Sequence, residues 1–205
     1  FSSVEVDQNG RVVVAYYENS NGDLLVALCN NAACSAPTIK KLDAINNAGM
    51  FASLEIVAGR IFVSYFRTNG AGVDLKVARC DDPNCTAVTV LHMIDMNAAL
   101  YNSMVMNDKG ELFISFWDAT KSDLIVAACI VDPTYGCKGA TFTRVDHFFS
   151  TGQYPDIALD NEGMPVISYH DQDEQALNLA SCPLCRVPTR NDIGPAAPWD
   201  SISLV

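Results

Sequence analysis

Four aromatic side chains stand at equivalent places along this 205-residue chain, and a charged residue follows each of them. The aromatic residues are Tyr17, Phe66, Trp117 and His170, and the residues that follow are Glu18, Arg67, Asp118 and Asp171. Flat apolar rings stack on sugar rings, and carboxylates accept hydrogen bonds from hydroxyls, so this combination is typical of carbohydrate recognition. The change of ring type favours exposure. The alternative is that these rings pack between neighbouring structural repeats.

A pair of carboxylates offers a second kind of chemistry. Glu5 and Glu55 occupy matching positions in successive repeats. Glycoside hydrolysis requires two carboxyl groups about 5–10 Å apart, which this pair satisfies if both face a shared channel. The alternative is that both are solvated. Histidines are three in number, at unlike positions (His92, His147, His170), and no Gly-x-Ser-x-Gly motif is present. We therefore predict no catalytic residue and no metal site.

The elements that position these residues come from an internal repeat. Phe1, Phe51, Tyr101 and Tyr154 begin four repeats, residues 1–50, 51–100, 101–153 and 154–205. A period near 50 residues without helical periodicity predicts a β-propeller array. The first repeat is interpreted as four short strands at residues 3–7, 11–17, 24–29 and 38–42, with a glycine-containing hairpin turn after the first. Four strands in one repeat form a propeller blade.

The last repeat departs from the others because prolines crowd one segment. We predict a loop from Cys182 to Pro198 and an outer strand from Trp199 to Val205. The whole chain, 1–205, is predicted to be one all-β propeller domain. Its four blades either close alone or belong to a larger or assembled ring. We expect the chain to be a mature product or a part of a longer chain. We also expect the polypeptide to continue beyond Val205.

Eight cysteines fall into four local pairs. The pairs are Cys29 and Cys34, Cys80 and Cys85, Cys129 and Cys137, and Cys182 and Cys185. Local pairing in every repeat predicts four disulfides and an extracellular setting. Metal binding is the alternative, but three of the spacings differ from a zinc knuckle, and each pair belongs to a separate repeat.

The fourth repeat carries a resemblance to a known family. It reads Tyr-Pro-Asp-Ile-Ala-Leu-Asp-Asn-Glu-Gly-Met-Pro-Val-Ile-Ser-Tyr-His-Asp from Tyr154 to Asp171. This resembles the tandem repeat of secreted bacterial β-propeller proteins, which have a similar consensus followed by Asp-Leu, Val-Ala and Cys. The resemblance covers all four repeats and implies a propeller fold and a secreted setting. It implies no particular activity, because one fold serves many functions.

Charge and composition limit the partners. The net charge is -11, with only 13 scattered Lys and Arg residues, which argues against nucleic acid and anionic lipid as partners. No apolar run approaches the roughly 18–20 residues that span a bilayer. Cofactors are not predicted. A calcium alternative rests on the turns that start at Asp7, Asn107 and Asp160, which have too few oxygen side chains for a full calcium loop.

The sequence therefore predicts a secreted or cell-surface, non-enzymatic binding module with a glycan or an extracellular protein as ligand. Two alternatives stay open. One is a structural subunit of an extracellular filament or surface layer, which would self-associate through its terminal blades. The other is an extracellular glycoside hydrolase that uses Glu5 and Glu55.

Overall fold

The computed structural model describes residues 1–68, 70–96, 99–132, 136–147, 150–181 and 189–195. Within these ranges every regular element is a β-strand, and the strands form four antiparallel sheets of four strands each. In every sheet the strands lie side by side in chain order. This confirms the predicted all-β class and the four four-stranded blades.

The strands belong to two compact units, Phe1–Asn97 and Ala98–Val205, each with two blades. Unit one contains β1 (Ser2–Val6), β2 (Val12–Glu18), β3 (Asp23–Leu28) and β4 (Thr38–Asp43), then β5 (Ala48–Val57), β6 (Arg60–Thr68), β7 (Val73–Cys80) and β8 (Val88–Met96). Unit two contains β9 (Ala99–Met106), β10 (Glu111–Asp118), β11 (Asp123–Asp132) and β12 (Gly136–Asp146), then β13 (Thr151–Leu159), β14 (Pro165–Asp171), β15 (Ala176–Ser181) and β16 (Thr189–Pro195). That the four blades form one domain stays a prediction.

The fourth blade corrects one prediction. Thr189–Pro195 is a strand that pairs with β15, whereas we expected a loop as far as Pro198. The stretch from Thr189 to Gly194 contains no proline, and the terminal proline of an edge strand is tolerated. The prolines of this segment therefore limit the length of the strand but do not prevent its formation. The predicted outer strand from Trp199 to Val205 lies outside the described residues.

Within each unit the two blades pack face to face. Alternate apolar residues of β2 and β3, such as Val13 and Leu24, pack against β5 and β6, where Leu54 and Val63 are buried. Unit two repeats this arrangement with its own cluster: Phe113, Leu124, Val126, Val145, Ile157, Ile167, Tyr169 and Ala180. Burying apolar residues from both faces is what blades that lie between neighbours require.

A buried tyrosine joins the second blade of each unit to the first. The Tyr65 hydroxyl donates to Asp43 Oδ2 at 2.6 Å, and the Tyr169 hydroxyl donates to Asp146 Oδ2 at 2.7 Å. Burial raises the pKa of Tyr65, and its hydrogen bond to the Asp43 carboxylate raises that pKa further. The aspartates that end the fourth strands therefore have a structural role.

Two glycines allow the connection between blades to pass over the preceding blade. Gly49 and Gly152 have φ of 110° and 91°. A Cβ on Gly49 would lie 3.0 Å from Leu24 Cα, and a Cβ on Gly152 would lie 2.6 Å from Leu124 Cβ. Each glycine stands two residues before an aromatic residue of the repeat, so this close approach sets where that ring lies.

Three of the four predicted disulfides are confirmed. Cys29–Cys34 and Cys80–Cys85 have Cα separations of 4.7 Å, and Cys129–Cys137 has one of 5.6 Å, all within the usual range. Each closes the turn between the third and fourth strands of its blade. The fourth pair, Cys182 and Cys185, lies outside the described residues.

Candidate functional site

Each first strand in blades two, three and four bulges at the aromatic residue with which the repeat begins. Phe51, Tyr101 and Tyr154 have φ of 53°, 55° and 50°, a left-handed conformation that is unfavourable for bulky residues. The strand register shifts at the same places. Strain of about 1–3 kcal/mol at each of three equivalent positions persists only where the surroundings enforce it, and such positions are typical of functional sites.

The bulges bring these rings together in pairs. In unit one the ring centroids of Phe1 and Phe51 are 4.0 Å apart, and in unit two those of Tyr101 and Tyr154 are 4.3 Å apart. We call these the phenylalanine pair and the tyrosine pair. Phe1 is 61% exposed, and the other three rings are half-buried. Each pair thus presents apolar ring surface to solvent.

The hydroxyls of the tyrosine pair lie 3.4 Å apart. Burial, together with the hydrogen bond to Tyr154, raises the pKa of Tyr101 to about 12. The Tyr101 phenol therefore remains protonated at neutral pH, and a phenol hydroxyl can donate one hydrogen bond and accept others.

Three of the four predicted ligand-binding aromatics lie next to these pairs. The ring centroid of Phe66 is 6.4 Å from Phe51, that of Trp117 is 6.3 Å from Tyr101, and that of His170 is 6.4 Å from Tyr154. Tyr17 lies beside Phe1 through the backbone, where Tyr17 N–H donates to the Phe1 carbonyl at 3.2 Å.

The expected exposure of these four residues is only partly met. Phe66 and His170 are buried, whereas Tyr17 and Trp117 are half-buried. Variation in ring type was therefore a poor indicator of exposure. The residues with the accessible ring surface are the aromatics that begin the repeats, for which no ligand-binding role was predicted. Their recurrence every 50 to 53 residues was the signal that pointed to them.

The charged residues that follow the predicted aromatics have other tasks. Glu18, Asp118 and Asp171 each accept hydrogen bonds from two backbone N–H groups of the next turn, at 2.8–3.3 Å. The Ser20 side chain, followed by the backbone N–H groups of Ser20 and Asn21, lowers the pKa of Glu18. Arg67 instead reaches two aspartates, with Nη2 3.1 Å from Asp74 Oδ2. These side chains stabilise turns and strand ends, and their ligand-binding role stays a prediction.

Several buried polar atoms without hydrogen-bond partners belong to residues beside the tyrosine pair. Trp117 Nε1 and both ring nitrogens of His170 are buried, and none has a hydrogen-bond partner among the described residues. Thr151, opposite Asp171 on the neighbouring strand, has a hydroxyl in the same situation. Such atoms are rare in folded proteins, since each costs about 1–3 kcal/mol.

Glu5 and Glu55 lie on β1 and β5, neighbouring first strands that are held together by a hydrogen bond from Leu54 N–H to Ser3 Oγ at 3.1 Å. Burial raises the pKa of Glu55 to about 7, and repulsion from the Glu5 carboxylate contributes. The matching positions in unit two hold Val105 and Ala158. Blade packing therefore does not require carboxylates at these positions.

The turns with a calcium-loop composition use their oxygens locally. Asp7 Oδ1 accepts hydrogen bonds from Asn9 N–H and Arg11 N–H at 2.9 Å, and Asp160 Oδ1 accepts from Glu162 N–H at 2.8 Å. In the described part of the chain, no cluster of three or more His, Cys, Asp or Glu side chains has the arrangement of a metal site. The calcium alternative stays a prediction.

The four-stranded antiparallel blades place the chain in the β-propeller class of folds. No protein-family model and no curated protein sequence matches it. Several solved structures are similar to this chain. A protein of unknown function from Dyadobacter fermentans has a TM-score of 0.65 and 9% identity, with 94% of this chain and 64% of that chain covered. This chain therefore spans less than two thirds of that protein.

Two other similar structures are enzymes. An endo-arabinase from Bacteroides thetaiotaomicron has a TM-score of 0.59 and 13% identity over 94% of this chain and 80% of the enzyme. An exo-β-1,3-galactanase from Phanerochaete chrysosporium, determined with galactose, has a TM-score of 0.60 and 10% identity over 94% of this chain and 49% of the enzyme. At this identity the likeness concerns the fold alone.

Proposed function

We propose that this chain is an extracellular, non-enzymatic glycan-binding module. The observation that carries the proposal is the pairing of half-exposed aromatic rings at strained bulges, Phe1 with Phe51 and Tyr101 with Tyr154. Sugar rings present flat C–H faces that stack on such surfaces, and the tyrosine hydroxyls add hydrogen bonds to sugar hydroxyls.

Other observations support the setting and the ligand class. Disulfides in three blades are compatible with an oxidising environment outside the cytoplasm. Among the described residues, no helix has the length and apolar character to cross a membrane. The similar structures that act on arabinan and galactan make these polysaccharides the first ligands to try.

Binding of arabinan and galactan oligosaccharides, measured by calorimetry, tests the proposal. Tyr154→Ala and Trp117→Ala remove ring surface at the tyrosine pair and are expected to weaken binding about tenfold, which is about 1.4 kcal/mol and lies within the roughly 0.5–1.5 kcal/mol of one aromatic stack. Tyr154→Phe keeps the ring and removes only the hydroxyl, so its affinity should lie between those of Tyr154→Ala and the wild type, and His92→Phe, on the exposed side of β8, is the control with unchanged affinity. Folded alanine variants that bind as tightly as the wild type would contradict the proposal.

Glycoside hydrolysis is the second candidate, and the Glu5–Glu55 pair favours it. A carboxyl group with a pKa of about 7 remains partly protonated at neutral pH, as a general acid must be. Glu55 would protonate the glycosidic oxygen as its bond to the anomeric carbon breaks. The Glu5 carboxylate would take a proton from the water that attacks that carbon.

Release of reducing ends from arabinan and galactan measures this activity. Under the hydrolase hypothesis Glu55→Gln abolishes turnover, while Glu162→Gln, a change in an exposed hairpin, leaves it intact. A wild-type protein that releases no reducing ends from either polysaccharide argues against it.

Self-association is the third candidate, and the exposed face of β1 favours it. Val4 and Val6 are 59% and 58% exposed. The equivalent of Val4 in blade two is Leu54, which is buried in the cluster shared with blade one. Val4 therefore occupies a position that elsewhere packs on a blade, and we propose a blade of a second copy as its partner.

Sedimentation velocity over a range of protein concentrations tests this third candidate. Assemblies that dissociate on Val4→Ser would support it, because this change places a polar group in the proposed contact. A monomer at all concentrations would exclude the filament or surface-layer role for this chain.

A further inference from the structure

The rings beside the tyrosine pair contain buried nitrogens that have no hydrogen-bond partner among the described residues. Trp117 contacts Tyr101, and His170 contacts Tyr154, so each tyrosine has one polar ring beside it. His170 is only 5% exposed, and its two ring nitrogens, like Trp117 Nε1, lack hydrogen-bond partners among the described residues.

The equivalent of His170 in blade two shows that polar atoms are not needed for packing there. That residue is Phe66, which is fully buried against Phe51, whereas blade one has Tyr17 at this position. An apolar ring thus satisfies the fold at this position. A histidine and a tryptophan with unpaired nitrogens destabilise the folded protein relative to such a ring.

We propose that Trp117 and His170 form a polar subsite that binds hydroxyl groups of a neutral sugar seated on the tyrosine pair. This inference rests on the proposed glycan-binding function and names the ligand class and the residues that determine specificity. The indole N–H donates a hydrogen bond, and a neutral imidazole offers one donor and one acceptor. A hydroxyl group can both donate and accept, so it satisfies each of these atoms.

The surrounding charges decide between neutral and acidic sugars. Asp118 and Asp171, which directly follow Trp117 and His170, are buried carboxylates; Asp118 has the 65% exposed Lys121 side chain 3.6 Å away, and the whole chain carries a net charge of -11. A uronate or sulfate group at this site would be repelled, because a buried negative charge needs a positive partner. The two tyrosine hydroxyls make only a long contact of 3.4 Å, so little hydrogen-bond energy opposes their separation by a ligand.

The experiment measures affinity and thermal stability together. His170→Phe and Trp117→Phe keep an aromatic ring and remove the unpaired nitrogens. His92→Phe, on the exposed outer strand β8, is the matched control. We expect the first two variants to bind galactan or arabinan oligosaccharides roughly five- to tenfold more weakly, the effect of losing one or two hydrogen bonds. Their Tm should equal or exceed that of the wild type, and the control should change neither quantity.

Each outcome has a separate meaning. Wild-type affinity in both phenylalanine variants overturns the polar subsite and leaves the glycan-binding proposal standing. A lowered Tm in both variants shows a structural role and also overturns the subsite. Preference of the wild type for acidic over neutral oligosaccharides on a glycan array overturns the ligand class. A wild-type protein that binds no oligosaccharide overturns both proposals.

Discussion

Replacing Glu55 by glutamine tests the electrostatics of the first strands. Glutamine has nearly the same shape as a protonated glutamic acid and cannot ionise. In the folded protein the pKa of Glu55 rises from 4.5 to about 7, first because of burial and second because of repulsion from Glu5. The folded state therefore binds the proton more tightly than the unfolded chain does.

The sign of the pH dependence follows from this linkage. Below pH 4.5 the carboxyl group is protonated in both states, so its contribution to the free energy of unfolding is constant. Between pH 4.5 and about 7 the folded protein retains a proton that the unfolded chain has lost, and stability falls as pH rises. Raising the pKa from 4.5 to about 7 corresponds to a loss of about 3 kcal/mol, since each pH unit is worth about 1.4 kcal/mol.

Thermal unfolding followed by circular dichroism from pH 4 to pH 8, at constant ionic strength, measures the effect. Glu55→Gln should match the wild type at pH 4 and exceed its Tm by roughly 6–12 °C at pH 8, because 1 kcal/mol shifts the Tm of a domain of this size by about 2–4 °C. Glu5→Gln should give a smaller gain, since it removes repulsion and leaves burial, the larger cause. A constant difference between Glu55→Gln and the wild type across this pH range would refute the reasoning.

Two further predictions concern the blade contacts. Gly152→Ala should destabilise unit two by about 2 kcal/mol or more in urea denaturation, because its Cβ would overlap Leu124, which must move. Gly139→Ala, where a Cβ meets no atom within 4 Å, should cost only the strain of its left-handed backbone, about 1 kcal/mol. Equal losses would show that backbone strain alone decides. Tyr169→Phe should cost about 1–3 kcal/mol by leaving Asp146 Oδ2 without this buried donor, and an unchanged midpoint would contradict that role.

The repeat made the blades predictable from sequence. Hairpin turns with glycine, apolar strands and paired cysteines recur at a fixed period, so local propensity and long-range order agree. The prediction was wrong at Thr189–Pro195, because the high proline content of the surrounding segment favours a loop, whereas these residues form a strand. A proline at the end of a strand, such as Pro195, does not interrupt the hydrogen-bond ladder as a proline in its middle would. The pairing with β15 shows that this segment is a strand and not a loop.

The candidate site was only partly predictable, because its geometry depends on backbone strain. A left-handed φ at Tyr101 or Tyr154 has no signal in residue type, since tyrosine disfavours it. The turn caps, by contrast, had a signal. Each of these carboxylates accepts a hydrogen bond from the backbone N–H two residues later, as acidic residues commonly do in turns. The residues are Glu18, Asp118 and Asp171. Hydrogen bonds to the turn compete with hydrogen bonds to a ligand, and the predicted ligand-binding role of these carboxylates neglected this competition.

The repeat also separates what the blades require from what they do not. Positions that keep one residue in all four blades are needed for packing, such as the leucine near the start of each third strand: Leu24, Leu75, Leu124 and Leu177. At two positions the units differ: unit one has the Glu5–Glu55 pair where unit two has Val105 and Ala158, and blade two has Phe66 where unit two has polar rings. In each case the polar version destabilises the fold and an apolar version is present in the same chain. Packing does not require these polar residues, and this is the observation behind the roles that we propose for them.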